Sequence, residues 1–192
     1  MVMQAPILAA SLATAKTVVG SDAKTIALTP QGQKLDAALA RTLSAESALI
    51  LVAGRYEGLD ERFLARDIDL EVSVGDFVVS GGELPAMLLI DAIVRWLPGV
   101  LGHEASAEQD SFSEGLLDCP HYTRPEVFDG DRVPQVLLSG DHAAISSWRR
   151  AQAIRRTLDR RPDLLAWEQV TPEDRALLEK WDLLRPDGGR HS

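Results

Sequence analysis

Three stretches of the sequence hold residue types whose spacing could do chemistry. The first, Gly54-Arg55-Tyr56-Glu57-Gly58, follows directly on the apolar run Ala48–Ala53. Open α/β sheets bind ligands outside the carboxyl ends of their strands, and glycines there let a ligand approach the main chain. A plain strand-to-helix turn accounts for the same five residues equally well. The second, Gly75 to Pro85, places Gly81-Gly82 just before an apolar helical pattern, with Pro85 near the first turn. Such a helix start offers unpaired backbone groups to the planar edge of a base. Its spacing is not that of a dinucleotide fingerprint and it has no Walker lysine, so neither a hydride-transferring Rossmann enzyme nor a P-loop NTPase is supported. The third is Arg149 to Arg161, six arginines against one acid. At about 100° per residue, Arg149, Arg156 and Arg160 share a narrow arc, with Ala151, Ile154 and Leu158 opposite. One face packs, and the other is either a solvated face or a surface for phosphates.

Other candidates are weaker taken alone. An isolated aspartate in a polar stretch, such as Asp110, is ordinarily a solvated surface residue, and Arg95 at the end of a helix is ordinarily half of an ion pair. His103, His121 and His142 are too scattered in sequence to define a metal site. The single cysteine, Cys119, excludes an intrachain disulfide and a cysteine-based zinc site and fits a reducing compartment, the cytoplasm, so no metal ligands are assigned.

The elements that must position these residues follow from hydrophobic periodicity. The 192 residues, 45% hydrophobic and 26% charged, suit an ordinary globular chain of one or two folding units. The net charge of −9 argues against a nucleic-acid binder acting through bulk positive charge, but the acid is concentrated in residues 102–145 and the segment 146–192 is net basic. The longest apolar stretch, Leu84–Leu97, is broken by Asp91 and Arg95, so no membrane span is expected. Met1–Ala15 is apolar but lacks a preceding basic residue and reads as a core-packing helix rather than a signal peptide. The spacing predicts a helix from Pro6 to about Lys16, a strand over Thr25–Thr29 ended by Pro30, a helix over Gln33–Leu43 and a strand over Ala48–Ala53. A short helix over Asp60–Arg66, a strand over Leu70–Val74 that Phe77–Val79 can extend, and a helix over Leu84–Trp96 come next. This alternation predicts an α/β domain with a parallel sheet over 1–101. Residues 102–118 read as a linker, and 119–192 as a small helical domain. In it Asp141 caps a long helix to Arg161, Thr171-Pro172 opens a last helix, and Trp148, Trp167 and Trp181 fill the core.

Taken together, Gly54–Glu61, Gly75–Ala86, Pro98–Ser106, Asp110-Ser111-Phe112 and the run Leu117-Asp118-Cys119-Pro120-His121-Tyr122-Thr123-Arg124-Pro125-Glu126-Val127 closely resemble the bacterial tRNA (guanine-N1)-methyltransferase family, in order and over nearly the whole chain. The resemblance implies a trefoil-knotted SPOUT methyltransferase domain, a helical tRNA-binding domain and a homodimer with active sites at the interface. It implies S-adenosyl-L-methionine bent among loops that match Ala27, Leu28, Thr29 and Pro30; Gly54, Tyr56 and Glu57; and Val74, Gly75, Phe77, Val79, Gly81, Gly82 and Pro85. The acceptor it implies is N1 of guanosine 37, 3′ of the anticodon, with Asp110 as base, Arg95 opposing charge on guanine O6, and possible dependence on Mg²⁺. Ser106, Arg124, Arg149, Arg156 and Arg160 are the tRNA-binding candidates.

Two departures from the family pattern stand out. Ala27-Leu28-Thr29-Pro30 stands where members usually carry Tyr-Leu-Ser-Pro, and Phe77 where they carry Tyr, which removes phenol groups but leaves main-chain contacts. Family members also have a first strand, a helix, a second strand and a Gly-Pro-Gly-Met loop upstream, so the chain is expected to be amino-terminally truncated. That feature supports an alternative, a non-catalytic RNA-binding or interaction protein derived from the family.

Overall fold

The computed structural model describes residues 1–100 and 110–184. The chain divides into two compact units, Met1–Ala107 and Glu108–Ser192.

Unit 1 is a three-layer α/β unit. In chain order it comprises α1 (Ala5–Val19), β1 (Lys24–Lys34), α2 (Ala37–Ser44), β2 (Leu49–Ala53), α3 (Glu61–Asp67), β3 (Leu70–Ser73) and α4 (Glu83–Val94). The three strands are parallel in the order β2-β1-β3, with β1 central. Side chains alternate across a strand, and β2 shows the consequence. Leu49 and Leu51 pack with Ile26, Leu28, Val72 and α4's Leu89 and Ile93 on one face. Ile50 and Val52 pack with Leu8, Leu12 and Phe63 of α1 and α3 on the other. Both faces of the parallel sheet are therefore covered by helices. Asp36 and Asp60 cap α2 and α3 by accepting from Leu39 N and Arg62 N. Only one face of α1 packs: Leu8 and Leu12 are buried, while Ile7 and Val18 are exposed.

Three sequence expectations need correction here. Pro30 does not end the first strand, which runs to Lys34. Both Leu28 and Gln33 register against Val72, so the four residues between them bulge out of the ladder, and proline, which has no N–H to donate, is accommodated in that bulge. Gln33 and Lys34 belong to this strand, so the following helix starts only after the Asp36 cap. Phe77–Val79 does not prolong β3; it is an exposed loop.

At the head of β1, Thr25 is fully buried, and its Oγ1 has no hydrogen-bond partner among the described residues. Its main chain is satisfied: N donates to Asp69 Oδ2 at 2.7 Å, and O accepts from Asp69 N at 2.9 Å. An orphaned buried hydroxyl costs about 1–3 kcal/mol. Thr25→Val keeps the shape and removes the orphan, so the urea midpoint of unfolding is expected to rise; a lower midpoint would mean that the hydroxyl has a partner.

Unit 2 is built on α6 (His142–Arg160), capped by Asp141, whose carboxylate accepts from Ala143 N and Ala144 N. Ahead of it lie a hairpin of β4 (Val127–Phe128) and β5 (Asp131–Arg132) and a short helix α5 (Gln135–Leu138). Behind it, Thr171 caps α7 (Pro172–Lys180). Ile154, Val170 and Leu178 form the core. Buried Thr157 of α6 ties down the segment before it, since its Oγ1 accepts from Leu117 N at 2.8 Å. Trp148 is buried as expected and Trp181 is held by a bond from Nε1 to Ser147 Oγ. Trp167 is not core: it is exposed at 39%, with the Arg175 guanidinium over its ring.

Candidate functional site

In unit 1, the carboxyl ends of all three strands open into one cavity of about 380 Å³. Leu28, Thr29 and Pro30 come from β1, Gly54, Tyr56 and Glu57 from the loop after β2, and Val74, Phe77, Val79, Gly81, Gly82 and Pro85 from the segment joining β3 to α4. Twelve sequence-predicted donor-site residues thus line one wall or another of a single space. Ala27 and Gly75 do not line it. Ala27 is fully buried in β1, and Gly75 is the buried corner that turns the loop. Its φ of 152° is a conformation that L side chains rarely adopt and requires glycine there. Arg55 and Ser80, which lie within the two glycine motifs, line it as well, and Gln31 is a lining residue that the sequence reading did not single out.

Main-chain approach shapes the cavity. Gly82 N donates to Gly54 O at 2.8 Å, and an added Cβ on Gly82 would fall 2.7 Å from both Ala53 Cα and Gly54 N. Glycine at position 82 therefore lets the start of α4 sit against the end of β2. Across the mouth, Arg55 Nε donates to Glu83 Oε1 at 2.7 Å. Glu83 is held below the ordinary carboxylate range, first by its own backbone N–H at the helix start and then by Arg55. Tyr56 is held at φ 63°, a left-handed conformation uncommon for a non-glycine residue, and its ring is exposed. Such outliers concentrate at ligand sites.

Arg95 is the exposed C-cap of α4 in unit 1. Asp110 belongs to unit 2, is half-buried and opens a turn whose main-chain oxygen accepts from Ser113 N and Ser113 Oγ. Ser106 lies outside the described residues.

The arginine helix resolves into two groups. Arg150 pairs with Asp174 at 3.0 Å and Glu114 at 3.3 Å, Arg155 pairs with Asp159, and Arg161 pairs with Asp163 at 2.6 Å. Among the described residues, no carboxylate pairs with Arg149, Arg156 or Arg160, the three that share one arc of α6. Intramolecular pairing has left a line of cations on one face. Close by in sequence, Asp118, Cys119 and His121 come within 4.8 Å of one another. The Asp118 carboxylate is already engaged: its Oδ1 accepts from Cys119 N and its Oδ2 bonds His121 Nε2. Partial burial pushes Asp118 up, but those bonds together outweigh it and hold the carboxyl below its usual range.

A sequence model of tRNA (guanine-1)-methyltransferase TrmD matches residues 1–167. The chain belongs to this family. A protein named tRNA (guanine-N(1)-)-methyltransferase from Pseudomonas fluorescens (strain SBW25) is 57% identical over 187 residues, which are 97% of this chain and 75% of the relative. Proteins of the same name from Psychromonas ingrahamii and Stutzerimonas stutzeri are 60% identical over 180 residues and 56% over 187, covering 93% and 97% of the chain and 73% and 75% of those relatives. Family membership fits the parallel α/β unit, and the chain is of a methyltransferase family. Among the described residues no helix is long and apolar enough to cross a membrane.

Proposed function

We propose that this protein transfers a methyl group from S-adenosyl-L-methionine to N1 of guanosine 37 in tRNA. The observation that carries the proposal is the cavity at the strand ends, whose walls are the matched loops and whose close glycine approach leaves main chain facing the space. A flat adenine and a zwitterionic tail suit such walls, because main-chain groups supply directed hydrogen bonds without bulky side chains. When bound, the donor supplies an electrophilic methyl group on a sulfonium.

The protein's own residues address the acceptor. Guanine N1 carries a proton, so it becomes a nucleophile only as that proton leaves, and a carboxylate placed against it is the fitting base. Asp110 takes this role. Arg95 opposes the charge that builds on O6, a task suited to a planar donor that is always ionised. Of the residues lining the cavity only Glu57 is a carboxylate. Mg²⁺ is ordinarily held by one or two carboxylates together with phosphates and water, so within this cavity Glu57 is the side chain that could serve it.

We assign the pairing of Asp110 with Arg95 to a homodimer with active sites at its interface, as the family resemblance implies. The outer face of α4 supports this: Leu84, Met87, Leu88 and Ile90 are each about half exposed or more, beside buried Leu89 and Ile93. An uncovered apolar face of this kind marks an association surface. Sedimentation of the purified chain as a monomer would remove this support.

The decisive experiment combines donor titration by calorimetry with methylation of a tRNA carrying guanosine 3′ of the anticodon. Heat with the donor and turnover on that tRNA are expected. Binding of both ligands without turnover would favour the non-catalytic RNA-binding alternative. For the RNA contact, alanine at Arg149, Arg156 and Arg160 together is expected to weaken tRNA binding. The salt dependence should flatten by roughly 0.7–0.9 in log–log slope per lost phosphate contact. An unchanged slope would make this face a merely solvated one.

A further inference from the structure

Unit 2 contains a second concavity, of about 980 Å³, that the cavity in unit 1 does not explain. Its walls come from the irregular run Pro120–Glu126, from Val133 just after β5, from Leu137 and Leu138 of α5, and from Arg149 of α6. The hairpin builds one wall: Val133 N donates to Glu126 O at 2.9 Å, which continues the β4–β5 ladder. Asp129 and Gly130 close its two-residue turn with φ of 48° and 94°, both positive as a tight hairpin of this twist requires.

The chemistry of the walls is mixed in a specific way. Tyr122 lies 6.4 Å from the buried Trp148, ring centre to ring centre, at 51°. The indole supports the phenol ring from within, and the ring remains 47% exposed. Pro120, Pro125, Leu137 and Leu138 supply apolar surface beside it. Two cations, Arg124 and Arg149, belong to the lining, and among the described residues neither has a paired carboxylate; the lining's one carboxylate, Glu126, is paired with Arg132 at 3.9 Å. His121, by contrast, is tethered to Asp118 at 2.7 Å.

We infer that this cleft receives one unpaired nucleotide of the RNA, its base against Tyr122 and its phosphate on Arg149 and Arg124. An aromatic ring held from behind, apolar sides and unpaired guanidinium groups at the edge are what single-stranded recognition requires: a face to stack on and charge for the backbone. A paired base cannot enter, because its partner strand blocks access to the ring. Arg149 belongs both to this cleft and to the line that continues through Arg156 and Arg160, so a strand whose phosphates follow that line delivers a nucleotide to the cleft. The inference rests on the proposed tRNA substrate and adds a base-binding subsite to it.

The test uses the whole chain and three measurements. Tyr122→Ala is expected to weaken tRNA binding about 5- to 100-fold, the range for losing one base–aromatic stack, with the salt slope unchanged because no charge is lost. Tyr122→Phe is expected to bind within about twofold of the parent, since a ring suffices for stacking. Donor titration is expected to be the same for all three proteins, because the donor cavity is in unit 1. Where Tyr122→Ala fails to fold, the unsubstituted protein decides. Irradiation with anticodon stem-loops carrying 5-iodouridine at each loop position in turn should yield a crosslink to Tyr122 or another cleft residue. Crosslinks confined to other residues, or tRNA affinity untouched by Tyr122→Ala, overturn the inference while leaving the methyltransferase proposal standing. A parent protein that binds donor but no tRNA overturns both.

Discussion

Asp110→Asn is expected to bind donor and tRNA as the parent does and to methylate about 10²- to 10⁴-fold more slowly, the usual loss when a general base is removed. The substitution keeps the size and planarity of the side chain and removes its charge and its ability to take a proton. Circular dichroism and the urea midpoint of the variant show whether the fold is intact; the main-chain oxygen of Asp110, which accepts from Ser113 N and Ser113 Oγ, is the same in both proteins. The rest of the segment is tied by Asp118 N to Ser111 Oγ and by Leu117 N to Thr157 Oγ1, neither of which involves the carboxyl. A slower enzyme with unchanged affinities therefore reports chemistry and not collapse. The measurement is single-turnover methylation under saturating donor, with the parent's rate as reference. Full activity in the variant would withdraw the role from Asp110, and a parent without turnover would withdraw the proposed function itself.

That the matched loops meet in one cavity was legible because several motifs converge on the place that the fold rule for open sheets already names, the carboxyl ends of the strands. Caps were legible too: Asp141 and Thr171 accept from the backbone of the turns they open, as short polar side chains at those positions should. Pro30 misled because a proline's missing donor argues for the end of a strand, and nothing local reveals that the ladder resumes four residues later in a shifted register. The β4–β5 hairpin was also missed. Its strands are two residues long, too short for any period to show, although Asp129-Gly130 is itself a hairpin signal that could have found it.

On α6 the sequence pointed to Arg149, Arg156 and Arg160 by angle alone. The structure adds a separate reason for the same three, because Arg150, Arg155 and Arg161 are neutralised by neighbouring acids. The partner of Arg155 is four residues away and readable, whereas Arg150 meets Asp174 from another helix, a pairing that only tertiary structure creates. The Tyr122 cleft was illegible for the same reason. Its ring, its apolar sides and its guanidinium groups come from three elements, and in sequence they are only a proline-rich loop, a short helix and one residue of a long helix.

Gly82→Ala is expected to abolish measurable donor binding at concentrations that saturate the parent, and to slow methylation at high donor by about 10²-fold, the scale set by misplacing reacting groups by roughly 1 Å. The backbone conformation is not the obstacle, since Gly82 sits at φ −76°, ψ −4°, where any residue is at ease. Space is the obstacle. The added methyl carbon would lie 2.7 Å from Ala53 Cα, 2.7 Å from Gly54 N and 2.9 Å from Ala53 C, all main-chain atoms at the end of β2. Relief requires the start of α4 to move off the sheet, which stretches the 2.8 Å bond from Gly82 N to Gly54 O and parts two walls of the donor cavity. Its neighbour supplies the control. A Cβ on Gly81 would meet Glu83 Oε2, the far end of a side chain that can swing away, with Glu83 Cδ at 3.5 Å and Arg55 Nε at 3.6 Å. Gly81→Ala should therefore cost at most the exposed Arg55–Glu83 pair, which contributes little, and keep the cavity closed. Calorimetric titration of both variants with the methyl donor separates the cases. Equal affinity in Gly82→Ala and the parent would show that the contact between α4 and β2 does not shape the donor site.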